Sequence, residues 1–258
     1  MKKIWITSIG SSEEMVKKLL SQLKTYGLEG GGHFWQDDLK KFAWMGARDV
    51  LIEKQTAMWI ILVSREELRS PDVIYGLSLL TITVKAQKGP NFPVIILQTD
   101  EGPIDPEQLS TPLKDADIMP ASLSGLGAKL VAKAHSTGSS IFSEYYMDIL
   151  GNDQIGQWFE IRPTEATWSG VMFGVTDAEI LFQAVGPSGS LPDKTVLNYP
   201  MQGLKLEMGG KEYTAWAAQN ELNPKTSYFV KVNGFPVSII FGSYSTEEET
   251  DVFVVRLK

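Results

Sequence analysis

The sequence predicts an α/β domain with a parallel, doubly wound sheet of flavodoxin-like type, followed by a mostly antiparallel all-β sandwich or barrel. Three observations carry this. Up to about residue 135, short apolar runs alternate with amphipathic segments, the signature of βαβ units. Ala57 to Leu80 holds a continuous apolar run, Met58 to Val63, feeding a loop and a second apolar segment, as a central strand covered on both faces requires. Beyond residue 140, apolar and polar residues alternate with period two between Gly- and Asn-rich turns.

In chain order, Lys3 to Ile9 reads as a first strand. Ser11 and Glu14 form a capping-box pattern, and Val16, Leu19, Leu20 and Leu23 recur at helical spacing, so a helix should end at Gly27. Gly30, Gly31 and Gly32 follow a helix rather than a strand, the wrong context for a phosphate loop, and are read as a flexible turn before a short strand ending at Asp37 and Asp38. Helix formers return from Ala47 to Ala57. Ser70, Pro71 and Asp72 look like an N-cap with proline in the first turn, opening a helix to about Lys88. Pro93 to Leu97 is a further buried strand, Asp117 to Met119 a short last one, and Gly127 to His135 a last helix.

A small-residue run, Ser136 to Ser140, separates this part from the rest, giving domains at residues 1–137 and 141–258. Eight strands are expected in the second: 158–162, 169–175, 179–185, 203–208, 211–217, 227–232, 236–244 and 252–257. Asn233-Gly234 is the strongest hairpin signal in the chain, with Gly209-Gly210 and Thr176-Asp177-Ala178 as further hairpin turns. Trp158, Trp168 and Trp216 are read as core or half-core aromatics rather than as a groove, and Glu247 to Glu249 as a solvated acidic loop.

Composition narrows the function classes. The net charge of −7 falls on the second half, which holds 8 Lys+Arg against 15 Asp+Glu, whereas the chain up to His135 holds 16 of each. With no basic stripe, nucleic acid is not expected as a partner. The absence of cysteine removes disulfide, thiolate and cysteine-metal chemistry and suits a cytoplasmic protein. Two histidines far apart in sequence nominate no metal site. No apolar run reaches the roughly 20 residues of a membrane span, so no membrane partner is expected.

The order strand, helix, Phe34-Trp35-Gln36-Asp37-Asp38, a loop with Gly46, a helix, then Met58 to Ser64 and Glu67-Leu68-Arg69-Ser70-Pro71 resembles the Toll/interleukin-1 receptor (TIR) domain family over roughly Lys3 to His135. The resemblance implies an aspartate after the second strand, matched by Asp37 or Asp38, and serines at and beyond the end of the central strand, matched by Ser64 and Ser70. It also implies either an interaction module that associates with other proteins or with itself, or an enzyme that cleaves NAD. The enzymatic members carry a glutamate in the helix after the central strand, and that position falls at about Gly76. Glycine cannot stabilise an oxocarbenium-like centre, so only Glu66 or Glu67 could substitute. The expectation is therefore a non-enzymatic TIR-like signalling or interaction protein with an accessory β domain and no required cofactor, with NAD or another nucleotide as the alternative ligand. Ser8, Asp37, Trp44, Ser64 and Glu67 are the positions nominated for a ligand or partner site. A flavin-binding reading is weaker, because no Ser/Thr-rich phosphate loop follows the first strand.

Overall fold

The computed structural model describes residues 1–10, 12–136, 142–244 and 252–258. The chain divides into two compact units, residues 1–141 and 142–258. In the first, five parallel strands, β1 (Lys3–Ser8), β2 (Glu29–Phe34), β3 (Thr56–Val63), β4 (Val94–Gln98) and β5 (Asp117–Pro120), form one sheet in the order β2-β1-β3-β4-β5. The helices are α1 (Glu13–Thr25), α2 (Arg48–Ile52), α3 (Pro71–Lys88) and α4 (Leu126–His135).

Alternation along the strands explains the layering. Ile4, Ile6, Met58, Ile60, Leu62, Ile95 and Leu97 point to one face and bury against Leu19 and Leu23 of α1 and Leu126 and Leu130 of α4. Each such side chain contributes about 1.5–3 kcal/mol. Trp59 and Ile61 bury on the opposite face, where the Trp59 indole N–H donates to Thr7 Oγ1 at 2.8 Å, and α2 packs on β3 and on α3. Every residue of α3 from Val73 to Val84 is buried. Its hydroxyls are accommodated locally: Ser78 Oγ donates to Ile74 O (2.7 Å) and Thr81 Oγ1 to Leu77 O (2.7 Å).

Several expectations are corrected. The triple glycine lies inside β2, an edge strand, and not in a turn. A methyl group on Gly32 would sit 2.5 Å from the Ile6 carbonyl oxygen, one on Gly31 2.8 Å from the Trp5 ring, and one on Gly30 2.6 Å from Leu20. Glycine is thus selected by close approach to β1 and α1, not by turn geometry. The strand ends at Phe34, so Asp37 and Asp38 lie beyond it; Asp38 instead caps a 3-10 turn by accepting from Lys41 N–H. The helix expected from Ala47 shrinks to Arg48–Ile52, preceded by a 3-10 turn at Ala43–Ala47. Between β4 and β5 only 3-10 turns occur, at Pro106–Gln108 and Thr111–Leu113. Ser12 is the N-cap of α1; Ser11, the expected capping residue, lies outside the described residues, as do Ser139, Ser140 and the Glu247 to Glu249 run.

The second unit contains two antiparallel sheets. Its strands are β6 (Tyr145–Asn152), β7 (Gly156–Pro163), β8 (Val171–Val175), β9 (Glu179–Pro187), β10 (Met201–Met208), β11 (Lys211–Ala218), β12 (Thr226–Asn233), β13 (Ser238–Ser243) and β14 (Val252–Arg256). They pair in the orders β10-β11-β8-β13-β14 and β6-β7-β12-β9. Aromatics from the two sheets meet, with Phe159 and Phe173 ring centres 5.3 Å apart and Tyr145 edge-on to Phe241 at 4.8 Å.

Gly209 and Gly210, both at positive φ, close the β10–β11 hairpin. The other two expected hairpins are absent. β12 pairs with β7 and β9 while β13 pairs with β8 and β14, so Asn233-Gly234 carries the chain from one sheet to the other. Thr176-Asp177-Ala178 likewise leads from β8 to β9, in different sheets, with Asp177 at φ 54°. Positive φ serves a change of layer as well as a two-residue hairpin. A ninth strand, β6, was not expected; it pairs with β7 through a turn in which Asn152 Oδ1 accepts from Gln154 and Ile155 N–H.

Candidate functional site

In a parallel sheet, ligand sites lie beyond the carboxyl ends of the strands. At that end of β1, Ser8 Oγ donates to Gly10 O at 2.7 Å, and the backbone N–H of Ile9 donates to Leu62 O at 2.9 Å. At the end of β3, Ser64 N–H donates to Glu67 Oε2 (2.7 Å) while Glu67 N–H donates to Ser64 Oγ (3.2 Å). This reciprocal pairing is a capping box around the 3-10 turn Glu67–Arg69. A methyl on Gly10 would fall 2.6 Å from Glu67 Oε1, so the carboxylate lies along the backbone after β1. Ser8, Ser64 and Glu67 are therefore brought together, with Glu67 employed in tying the β3 loop.

Arg65 is engaged too. Its backbone N–H and Nε–H donate to Asp100 at 3.1 and 3.0 Å, and Gln98 Nε2 donates to Asp100 Oδ1 at 3.1 Å, which locks the loops after β3 and β4 together.

Trp35 follows Ser8 in this layer, its N–H donating to Ser8 O at 2.8 Å. Its indole packs on α3 where Gly76 lacks a side chain: a methyl there would meet Trp35 Cζ2 at 2.6 Å and Leu39 Cδ2 at 3.3 Å. The space above Gly76 is thus the slot that receives the Trp35 ring. Asp37, next along, has its carboxyl raised above its ordinary value by burial first and then by the charge of Asp72 in the first turn of α3; the nearby Trp35 indole N–H offsets part of this, and Asp38 adds to it. Trp44, also nominated, is 2% exposed and stands in the interior beside Phe42.

A raised carboxyl pKa in the folded state means that ionisation favours unfolding. The deficit is absent below the unfolded pKa, grows as pH rises and is complete above the folded pKa. Asp37→Asn is accordingly expected to raise stability at neutral pH and to make no difference at about pH 3, below the ordinary Asp value. Denaturation midpoints at the two pH values check this, and a less stable variant at neutral pH would contradict it.

A cavity near the carboxyl edge of this unit has no counterpart among the positions nominated from the sequence. A cleft of about 320 Å³ opens between α1 and α4, floored by Leu62 and Leu97, walled by Leu19 and Leu126, and rimmed by Lys18 and Thr99. The α1 residues involved look in sequence like one ordinary amphipathic helix. The available signal was positional: Leu62 stands near the end of β3 and Thr99 just beyond β4. Among the described residues no group of three His, Cys, Asp or Glu side chains could hold a metal ion, and no helix is long and apolar enough to cross a membrane. No family model matches the chain, and no curated protein matches it.

Proposed function

We propose that the first unit is a flavodoxin-like, TIR-like scaffold that acts by recognition, as a cytoplasmic signalling or interaction module, with the β unit as its accessory. The strand order β2-β1-β3-β4-β5 agrees with the flavodoxin-like arrangement. The observation that supports the reading is the Trp35 ring seated against Gly76, at about the position where a TIR-like enzyme would carry its glutamate. Glu67, one of the two possible substitutes, spends one oxygen on Ser64 N–H and rests the other on Gly10, a structural employment. Recognition of a protein partner or of a second copy is favoured by β2, an edge strand with unpaired backbone groups on its outer side and Phe34 43% exposed at its end.

Incubating the full chain with NAD and following nicotinamide release tests this. The expected result is no turnover, in dilute solution or at concentrations that drive self-association. Steady release abolished by Glu67→Ala would replace the proposal with the NAD-hydrolysing alternative.

A further inference from the structure

Of the three tryptophans of the β unit that stand out in sequence, Trp168 is buried, whereas Trp216 and Trp158 are both half-buried. Trp168 N–H donates to Leu222 O, and Trp216 lies opposite Phe173 in the ladder. Trp158 stands on the side of the four-stranded sheet opposite to that of the core residue Phe159, in one row with Lys231 of β12 and Phe182 of β9. The Trp158 and Phe182 rings lean together edge to face, 5.9 Å apart, although a strand lies between them, and Phe182 is 50% exposed. The Trp158 ring is fixed by its Nε1–H donating to Ile155 O at 3.1 Å.

One wall of the groove is formed by Leu191, Pro192, Asp193 and Thr195, and the segment 188–195 that carries them is pinned along its length. Ser188 N–H donates to Lys225 O, Gly189 N–H donates to buried Glu160 at 2.8 Å, Pro192 packs on Gly186, and Thr195 Oγ1 bonds both the N–H and the carbonyl of Val185 (2.8 and 3.1 Å). The result is an aromatic-floored groove of about 490 Å³ whose shape exists before any ligand arrives. A preformed site of this kind loses little ordering entropy on binding.

We propose that this groove binds a neutral saccharide, one ring stacking on Trp158. The negative face of an indole attracts positive charge density: it already holds the Lys231 ammonium 5.9 Å from the Trp158 ring centre, and it attracts the slightly positive C–H face of a pyranose in the same way. Around it stand Gln154, Asp193 and Lys231, which together supply an amide, a carboxylate acceptor and an ammonium donor for hydroxyl groups. Asp193 and Lys231 carry opposite charges, so the rim has no net attraction for phosphate or carboxylate ligands. A proline-rich peptide also docks on aromatic grooves, but it has little use for three hydrogen-bonding side chains at the rim.

Isothermal calorimetry on the full chain, with neutral oligosaccharides of glucose, mannose, galactose and N-acetylglucosamine and a proline-rich peptide as the contrasting probe, tests the proposal. At least one saccharide is expected to bind, with affinity reduced about tenfold or more by Trp158→Ala, the loss of one stacking platform. Trp216→Phe should leave that affinity unchanged. Asp193→Asn, at an exposed position, should also weaken binding, and it decides the matter if Trp158→Ala fails to fold. Failure of every saccharide to bind, binding indifferent to both groove substitutions, or binding of the peptide alone would overturn it.

Discussion

Gly76→Glu is expected to destabilise the first unit by about 3 kcal/mol or more and to confer no cleavage of NAD. The new Cβ would lie 2.6 Å from Trp35 Cζ2 on a helix buried on every side, and the carboxylate would have to displace an indole rather than enter a pocket. Denaturant midpoints and nicotinamide release measure the two halves of the expectation. The double variant Trp35→Ala/Gly76→Glu empties the slot first, so the two changes should be strongly non-additive, with part of the stability returning. A Gly76→Glu protein as stable as the parent would show that Trp35 does not fill that space.

Glu160→Ala is expected to cost the second unit about 3 kcal/mol. Glu160 is fully buried; its Oε1 accepts from Gly189 N–H and from Ser227 Oγ at 2.7 Å, joining the 188–195 segment to β7 and β12. Alanine leaves both donors without an acceptor and opens a void. Glu160→Gln retains an acceptor in the same place, and Oε2 has no partner to lose, so it should fall within about 1 kcal/mol of the parent. Thermal melts of the two variants separate these cases. Equal losses would mean that the negative charge, rather than the two hydrogen bonds, holds the segment.

The layered order of the first unit was legible because burial on both faces of β3 and the helical spacing of Leu19 and Leu23 are local signals. The triple glycine was not, since its cause is a carbonyl oxygen on a neighbouring strand, Ile6 O, which no local pattern reveals. Asn233-Gly234 departs from its hairpin signal for a related reason: only Gly234 takes positive φ, not both residues as a type I′ turn requires, and the strand that follows belongs to the other sheet. Of the nominated site residues, Ser8, Ser64 and Glu67 converge because strand-end positions can be read from apolar runs. Trp44 lies in the interior because size and aromaticity alone do not separate a wall from a core. The half-buried state of Trp158 and Trp216 agrees with a core or half-core reading, but the row that Trp158 forms with Lys231 and Phe182 is not legible because it depends on pairing across distant strands.

The two layer-crossing turns bear on how the second unit folds. Because Asp177 and Asn233-Gly234 each hand the chain to the opposite sheet, β8 and β12 find all their neighbours among strands remote in sequence. β12 waits on β7 and β9, and β8 on β11 and β13. Local pairing is confined to hairpins such as β6–β7 and β10–β11, at the margins of the two sheets. Loop closure over long stretches must then precede the central ladders. The unit should acquire its structure slowly and late, with the marginal hairpins forming first and the central strands assembling only in the final cooperative step.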